Sequence, residues 1–229
     1  KLDLTVPEVF ELFAQGRTVG IFQFESAGMQ EYLKQLKPTC IEDLIAMNAL
    51  YRPGPMANIP EFIARKHGES KVDFMHPKLE PILKETNGII VYQEQVMQIS
   101  QVIGGFTLAQ GDMMRRAMGK KKASLMATFK IDFVDGAVKQ DIDKKCAVEI
   151  FELLEKFAQY GFNKSHSTAY AIVAYQTAWL KAFYPAEFMS ANMTSVIDKT
   201  DDVVKLIHET RSIGIEVLPP DVNSSYAEF

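Results

Sequence analysis

A chain of 229 residues with 47% hydrophobic composition can bury one large core or two small ones. Its formal net charge of -4 excludes a molecule whose whole surface wraps nucleic acid or coats an anionic membrane, so any anion site has to be local. The two cysteines, Cys40 and Cys146, lack Cys-x-x-Cys spacing, and the four histidines, His67, His76, His166 and His208, form no i, i+4 pair. This pattern excludes the common metal motifs and predicts reduced thiols in a cytoplasmic protein.

No apolar run reaches the roughly 18 residues needed to span a bilayer, and no secretory leader opens the sequence, so neither a membrane span nor export is expected. Lys1 at the start, and SSYAEF at the end without a natural stop, are what a piece of a longer protein would show.

In chain order, Val9, Phe10, Leu12 and Phe13 recur at helical spacing and predict a core-facing stripe. VGIFQF at 19–24 predicts a short strand beside glycine. A second helical stripe follows in Ile41, Leu44, Ile45 and Leu50, closed by the turn signal RPGP at 52–55. Asn87 and Gly88 mark a turn into GIIVY at 88–92, a second short strand, and Gly104 with Gly105 marks another turn. A helix starting near Leu108 carries the arginines, and Ile150, Phe151, Leu153, Leu154 and Phe157 make a further stripe. The longest helix is expected from about Ser165 to Phe183, with Pro185 marking its end before a helix through Phe188, Met189 and Met193. IEVL at 215–218 reads as a third strand before Pro219 and Pro220. The expectation is a mainly α domain of about ten helices with a few short strands, and with no repeat or flexible linker.

Two stretches concentrate chemistry. MMRRAMGKKKA at 113–123 collects five cations with no carboxylate between them. On the predicted helix Asp112, Arg115, Arg116 and Gly119 share one face, while Met114, Ala117 and Met118 turn to the core. Asp112 can pair with both arginines at i+3 and i+4, and Lys120, Lys121 and Lys122 complement a helix C-terminus. One carboxylate cannot neutralise two guanidiniums, so a polyanion partner stands beside a solvated charged face as a reading of equal weight.

YGFNKSHSTAY at 160–170 is the second. Gly161 can end one helix and Asn163 or Ser165 can cap the next, which leaves backbone N–H groups beside Lys164, His166 and Ser167, a setting that attracts phosphate. An ordinary helix junction rich in capping residues accounts for the same letters, with His166 a satisfied polar side chain and Tyr160, Phe162 and Tyr170 part of a core.

Two apparent motifs fail. Gly111 and the Gly119-Lys120 pair are too far apart for a phosphate-binding P-loop, and Lys121 stands where Ser or Thr is required. Asp141 and Asp143 make an Asp-x-Asp pair, yet Asp143 sits before a helix next to Lys144 and Lys145, which reads as an N-cap. No catalytic constellation is complete in this segment.

Six motifs in order and register, GIFQFES at 20–26, ALYRPGP at 49–55, GIIVYQEQVMQI at 88–99, MMRRAMGKKK at 113–122, YGFNKSHSTAYA at 160–171 and WLKAFYPAEF at 179–188, resemble the α subunit of bacterial DNA polymerase III. The resemblance covers nearly the whole chain. It implies a helical fingers domain over 1–229, with the Mg²⁺-binding palm and the PHP domain upstream and the clamp-binding region and an OB-fold domain downstream. No catalytic residue is then expected here.

By the same resemblance Arg115 and Arg116 reach the phosphates of the incoming deoxynucleoside triphosphate, and Lys164, His166 and Tyr170 sit near the nascent base pair. Gln23, Glu25, Ser26, Arg52, Asn163 and Ser165 are candidates for the cleft rim, and Lys120, Lys121 and Lys122 for phosphates of primer-template DNA. Other replisome subunits such as the sliding clamp would bind outside this segment. A non-catalytic helical nucleic-acid-binding or scaffold module is the competing reading, although a mere binder needs no such register of motifs. The sequence does not separate a main replicative subunit from an error-prone paralogue.

Overall fold

The structure, a computed structural model, describes residues 2–119, 123–158 and 160–229. Among the described residues there are twelve α-helices. The first six are α1 Pro7–Ala14, α2 Ala27–Leu36, α3 Ile41–Leu50, α4 Ile59–Lys66, the single turn α5 Glu80–Leu83 and α6 Gln93–Val102. The rest are α7 Leu108–Gly119, α8 Ala123–Val138, α9 Lys144–Ala158, α10 Lys164–Phe183, α11 Pro185–Ser195 and α12 Thr200–Ser212. None of them is long and apolar enough to cross a membrane. The chain divides into two compact units, residues 1–43 with 169–229, and residues 44–168.

In the first unit Pro7 opens α1 at a position where its missing N–H costs nothing, and Val9, Phe10, Leu12 and Phe13 are buried as their spacing requires. Ser26 caps α2, its Oγ accepting from the Met29 N–H at 3.3 Å. Phe13 meets Phe24 edge-on at 5.3 Å, and Phe10 meets Tyr175 at 5.5 Å. A smaller core joins α11 to α12 through Phe188, Met189, Met193 and Leu206.

Residues 19–24, expected as a strand, are a run of tight turns. The Ile21 N–H donates to the Thr18 carbonyl at 3.0 Å and the Phe24 N–H to that of Ile21 at 3.1 Å, while Gly20 and Gln23 take left-handed φ values of 79° and 66°. The Lys181 ammonium holds these turns. Its side chain is 1% exposed and donates to the carbonyls of Arg17 and Val19 at 3.0 and 2.9 Å and to Glu209 Oε1 at 2.7 Å. Burial pushes its pKa down while Glu209 pulls it back up.

The second unit is built around α6, α7, α8 and α9. Val96, Ile99 and Ile103 meet Met114, Ala117, Met118, Phe133, Val134, Ile150, Phe151 and Leu154 in one core. Glycines let the elements touch: a Cβ at 111 would lie 2.8 Å from Ser100 Oγ, and one at 136 would overlap the carbonyl oxygen of Gly104. Gly88 lies in a turn at φ 78°, and residues 89–92 are buried but form no ladder. Tyr92 pairs in a single parallel bridge with Phe162. Residues 215–218 have no regular structure and no ladder pairing among the described residues. The few short strands expected are therefore absent from the described residues, since no two extended segments run side by side for more than one residue.

Gly136→Ala is expected to destabilise the protein by about 1 to 3 kcal/mol, because backbone rather than a movable side chain blocks the new methyl. Gly119→Ala, where a Cβ meets nothing within 4 Å and no left-handed φ stands in the way, should hold or raise the urea midpoint, because Ala is the better helix former. Equal midpoints for the two variants would contradict the close approach of α8 to the 104–105 turn. Lys181→Met leaves Glu209 and two carbonyls without their donor and is expected to cost about 3 kcal/mol, with Lys181→Met/Glu209→Gln recovering part of the loss in the same unfolding measurement.

Candidate functional site

The arginine helix α7 begins with reciprocal capping: the Thr107 N–H donates to Gln110 Oε1 at 2.8 Å, and the Gln110 N–H donates to Thr107 Oγ1 at 3.2 Å. Burial of Gly111, Met114, Ala117 and Met118 then fixes the helix rotation, so Asp112, Arg115 and Arg116 face outward together. Asp112 holds both arginines. Its Oδ1 accepts from Arg115 Nε at 3.1 Å and Nη2 at 2.7 Å, and its Oδ2 lies 2.8 Å from Arg116 Nε. Donation from Arg115 keeps the Asp112 carboxyl below its usual range against the opposing effect of burial, and the charges of both guanidiniums add to the lowering. The fork is thus constant through neutral pH and carries one net positive charge. Arg115 is the more enclosed, 23% exposed against 67% for Arg116, and its Nη1 donates to Gln93 Oε1 at 3.0 Å.

Residues 160–163 form an irregular segment between α9 and α10 that is held from several sides. The Gln93 N–H donates to the Phe162 carbonyl at 2.9 Å, the Phe162 N–H to that of Val91 at 3.1 Å, and Gln93 Nε2 to that of Gly161 at 3.0 Å. Arg52 donates from Nη2 to the Tyr160 carbonyl at 2.6 Å and lies 4.4 Å above the Phe162 ring. Gly54, at φ 98°, is required beneath Tyr160, whose ring a Cβ would meet at 2.6 Å.

At the start of α10, Asn163 is the cap: its Oδ1 accepts from the His166 N–H at 2.8 Å. Glu94 sits on the same terminus, accepting from Asn163 Nδ2 and from the Lys164 N–H, each at 3.0 Å. The amides of Lys164, His166 and Ser167 are therefore engaged within the protein, since the Ser167 N–H also donates to the Asn163 carbonyl at 3.1 Å. The Lys164 ammonium is bound by both oxygens of Glu85 at 2.8 and 2.7 Å and lies 5.5 Å from the Tyr92 ring centroid. The His166 ring meets Phe162 edge-on at 5.5 Å.

The second unit thus joins Arg115, Asn163 and Lys164 to Gln93 and Glu94 in the first turn of α6, with Arg52 and His166 against Phe162, Arg116 linked through Asp112, and Ser165 exposed. Of the other sequence-predicted residues, Tyr170, Gln23, Glu25 and Ser26 belong to the first unit. Tyr170 packs its ring on Phe22 at 5.1 Å. Gln23, Glu25 and Ser26 line a cavity of about 650 Å³ with Thr177, Asn192 and Lys205, where Glu25 accepts from the Gly20 N–H at 3.3 Å. Lys120, Lys121 and Lys122 lie outside the described residues.

Asp143 caps α9 by accepting from the Cys146 N–H at 3.0 Å, as its position before the helix predicted. Both cysteines are free, and burial pushes the Cys40 thiol up to about 11, which makes it a poor nucleophile at neutral pH. Gln93, Glu94 and Glu85 were missed by sequence reasoning. Gln93 and Glu94 stand at the polar start of a helix, where such residues are ordinary, and Glu85 is far from Lys164 in sequence.

The family model for the bacterial DNA polymerase III alpha subunit finger domain matches residues 1–141. The chain is 54% identical over 222 residues to the DNA polymerase III subunit alpha of Borreliella burgdorferi, covering 97% of this chain and 19% of that protein. It is 52% identical over 235 residues to that of Haemophilus influenzae, covering 100% of this chain and 20% of the relative. Against the Escherichia coli K12 protein it is 51% identical over 227 residues, covering 96% and 20%. The chain spans about a fifth of the length of the curated relatives it matches. A family model matching well over half of the chain, with motifs that include the arginine helix, shows that the chain belongs to the bacterial DNA polymerase III alpha subunit finger-domain family.

Proposed function

We propose that this chain is the nucleotide- and primer-template-binding fingers part of a DNA-directed DNA polymerase that adds deoxynucleotides to a primer 3′ end in chromosomal replication. The observation that carries the reading is the fork of Arg115 and Arg116 on one face of α7, two guanidiniums shared by one carboxylate. A triphosphate presents several anionic oxygens, and planar guanidiniums bind them with charge-assisted, directional hydrogen bonds. The surplus charge of the fork stabilises negative charge developing on the departing pyrophosphate. Arg116, the more exposed of the two, meets the phosphate chain with little desolvation of its own, while Arg115 arrives already oriented.

Lys164 and His166 frame the nascent base pair from the start of α10. For Lys164 this requires the Glu85 pair to open or to be shared, so its part is positional before it is electrostatic. Arg52 and Asn163 hold the 160–163 backbone. Lys120, Lys121 and Lys122, just beyond the fork, provide point charges for template phosphates.

Polymerisation of this class uses Mg²⁺. The residues here do not fit that ion: among the described residues no group of three or more His, Cys, Asp or Glu converges, and Asp143 spends its carboxylate on a helix cap. The metal belongs in this reading to the upstream palm, and no step is routed through it here. The sliding clamp and other replisome partners belong equally to regions outside this chain.

In a full-length subunit, Arg115→Ala or Arg116→Ala removes hydrogen bonds that contribute about 1.5 to 3 kcal/mol each, so single-nucleotide incorporation efficiency should fall by about one to two orders of magnitude. Arg→Lys should restore only part of it, for want of the planar fork. Primer-template affinity should barely change in these variants. Replacing Lys120, Lys121 and Lys122 together should weaken DNA binding and lower its salt slope while sparing the nucleotide KM. If both arginine variants incorporate at the parent rate while the lysine change abolishes synthesis, the chain is a nucleic-acid-binding module and the nucleotide site lies elsewhere.

A further inference from the structure

We infer that Gln93 is a positioning residue for the nucleotide site, setting the plane of the Arg115 guanidinium and tying it to the 160–163 segment so that helix and segment meet the nucleotide as one body. The inference rests on the reading of Arg115 as a triphosphate ligand.

Gln93 is the first residue of α6 and makes three hydrogen bonds to two other elements, the 160–163 segment and α7. Its N–H and its Nε2 both donate into the 160–163 segment, to the carbonyls of Phe162 and Gly161, and the Phe162 N–H returns to Val91 two residues before it. Its Oε1 then accepts from Arg115 Nη1 on α7. The carboxamide is therefore used at both ends, with its donor fixed by the segment and its acceptor aimed at the arginine.

Close approaches hold both sides in place. A Cβ on Gly161 would lie 3.1 Å from Gln93 Cγ, so the segment lies against this side chain. At Gly111, one turn before Arg115, α7 rests against Ser100 and Met97 of α6. Neither partner can drift far without breaking a packed contact.

Asp112 alone does not define the guanidinium. One oxygen accepting from Nε and Nη2 fixes a single edge, about which the plane can still swing, and a second acceptor on Nη1 removes that freedom. The chemistry of the second acceptor matters as well. A neutral amide oxygen orients Arg115 without cancelling its charge, whereas a carboxylate at the same place would compete with the triphosphate for the same cation. Glutamine also supplies the N–H that Gly161 needs, which glutamate lacks.

The test is a double-mutant cycle in the full-length subunit, with single-nucleotide incorporation measured across a deoxynucleoside triphosphate titration. Gln93→Met keeps the side-chain volume and removes both polar ends. It should raise the nucleotide KM by about threefold to tenfold, the range one hydrogen bond supplies, while leaving primer-template affinity at the parent value. In the Arg115→Ala background the same change should alter KM by less than about twofold, because its route to the nucleotide is gone.

Gln93→Glu keeps an acceptor for Arg115 but adds charge. It should also raise KM, again only while Arg115 is present, and it serves if the Met variant does not fold. Equal effects with and without Arg115 would mean that Gln93 merely braces the segment, and no effect in either background would equally overturn the inference. If Arg115→Ala itself leaves KM unchanged, the reading of the arginine fails first. If Arg115→Ala is impaired while both Gln93 variants match the parent, the reading of the arginine stands and the inference about Gln93 alone falls.

Discussion

The candidate site depends on a short irregular backbone, residues 160–163, which has no regular hydrogen bonding of its own and is held by the first turn of α6. Its amides and carbonyls must find partners elsewhere, and they do so at Val91, Gln93 and Arg52. Once this segment is fixed, Asn163 stands where it can cap α10, and Glu94 closes the same terminus. The start of the longest helix and the orientation of an arginine on another helix thus share an anchor two residues long, Gln93 and Glu94. The anchor itself is held by the buried Gln95, whose Oε1 accepts from the N–H groups of Val91 and Tyr92 and whose Nε2 donates to Ile82 and Thr86.

Charge in this region is arranged by subtraction. Lys164 is matched by Glu85, the α10 terminus by Glu94, and Arg52 is committed to backbone carbonyls and an aromatic face. Asp112 is the one carboxylate against two guanidiniums, so the surplus positive charge falls on α7, and mainly on the exposed Arg116. An acidic chain can in this way display a cation at one place without becoming a general polyanion binder. Because Asp112 stays ionised through neutral pH, the fork is preorganised, and a ligand that meets it spends less on ordering side chains.

The helices were largely legible because burial follows a 3.6-residue period: the stripe in α1, the core face of α7 at Met114, Ala117 and Met118, and the breaks at Pro185 and before Lys144 all appear in the letters. The pairing of Asp112 with both arginines was legible for the same reason, since i+3 and i+4 neighbours share a face. The strands were misread. VGIFQF has strand-like composition, but Gly20 and Gln23 in the left-handed region turn the chain twice, and GIIVY is apolar because it is buried, not because it lies in a sheet. Glu85 with Lys164, and Gln93 with Arg115, escaped because their partners lie 79 and 22 residues away and nothing local marks them. The free amides expected at the start of α10 were a local inference, and a distant Glu94 altered it.

The central claim, that α7 and the segment beside it form a triphosphate site, is tested most directly by hydrogen exchange on a full-length subunit containing this chain. A deoxynucleoside triphosphate added with primer-template should slow exchange across residues 108–119 and 160–166 beyond the level reached with primer-template alone, and Arg115→Ala should remove most of that added protection. Protection of these residues by DNA alone, with no further change on adding nucleotide, would contradict the account.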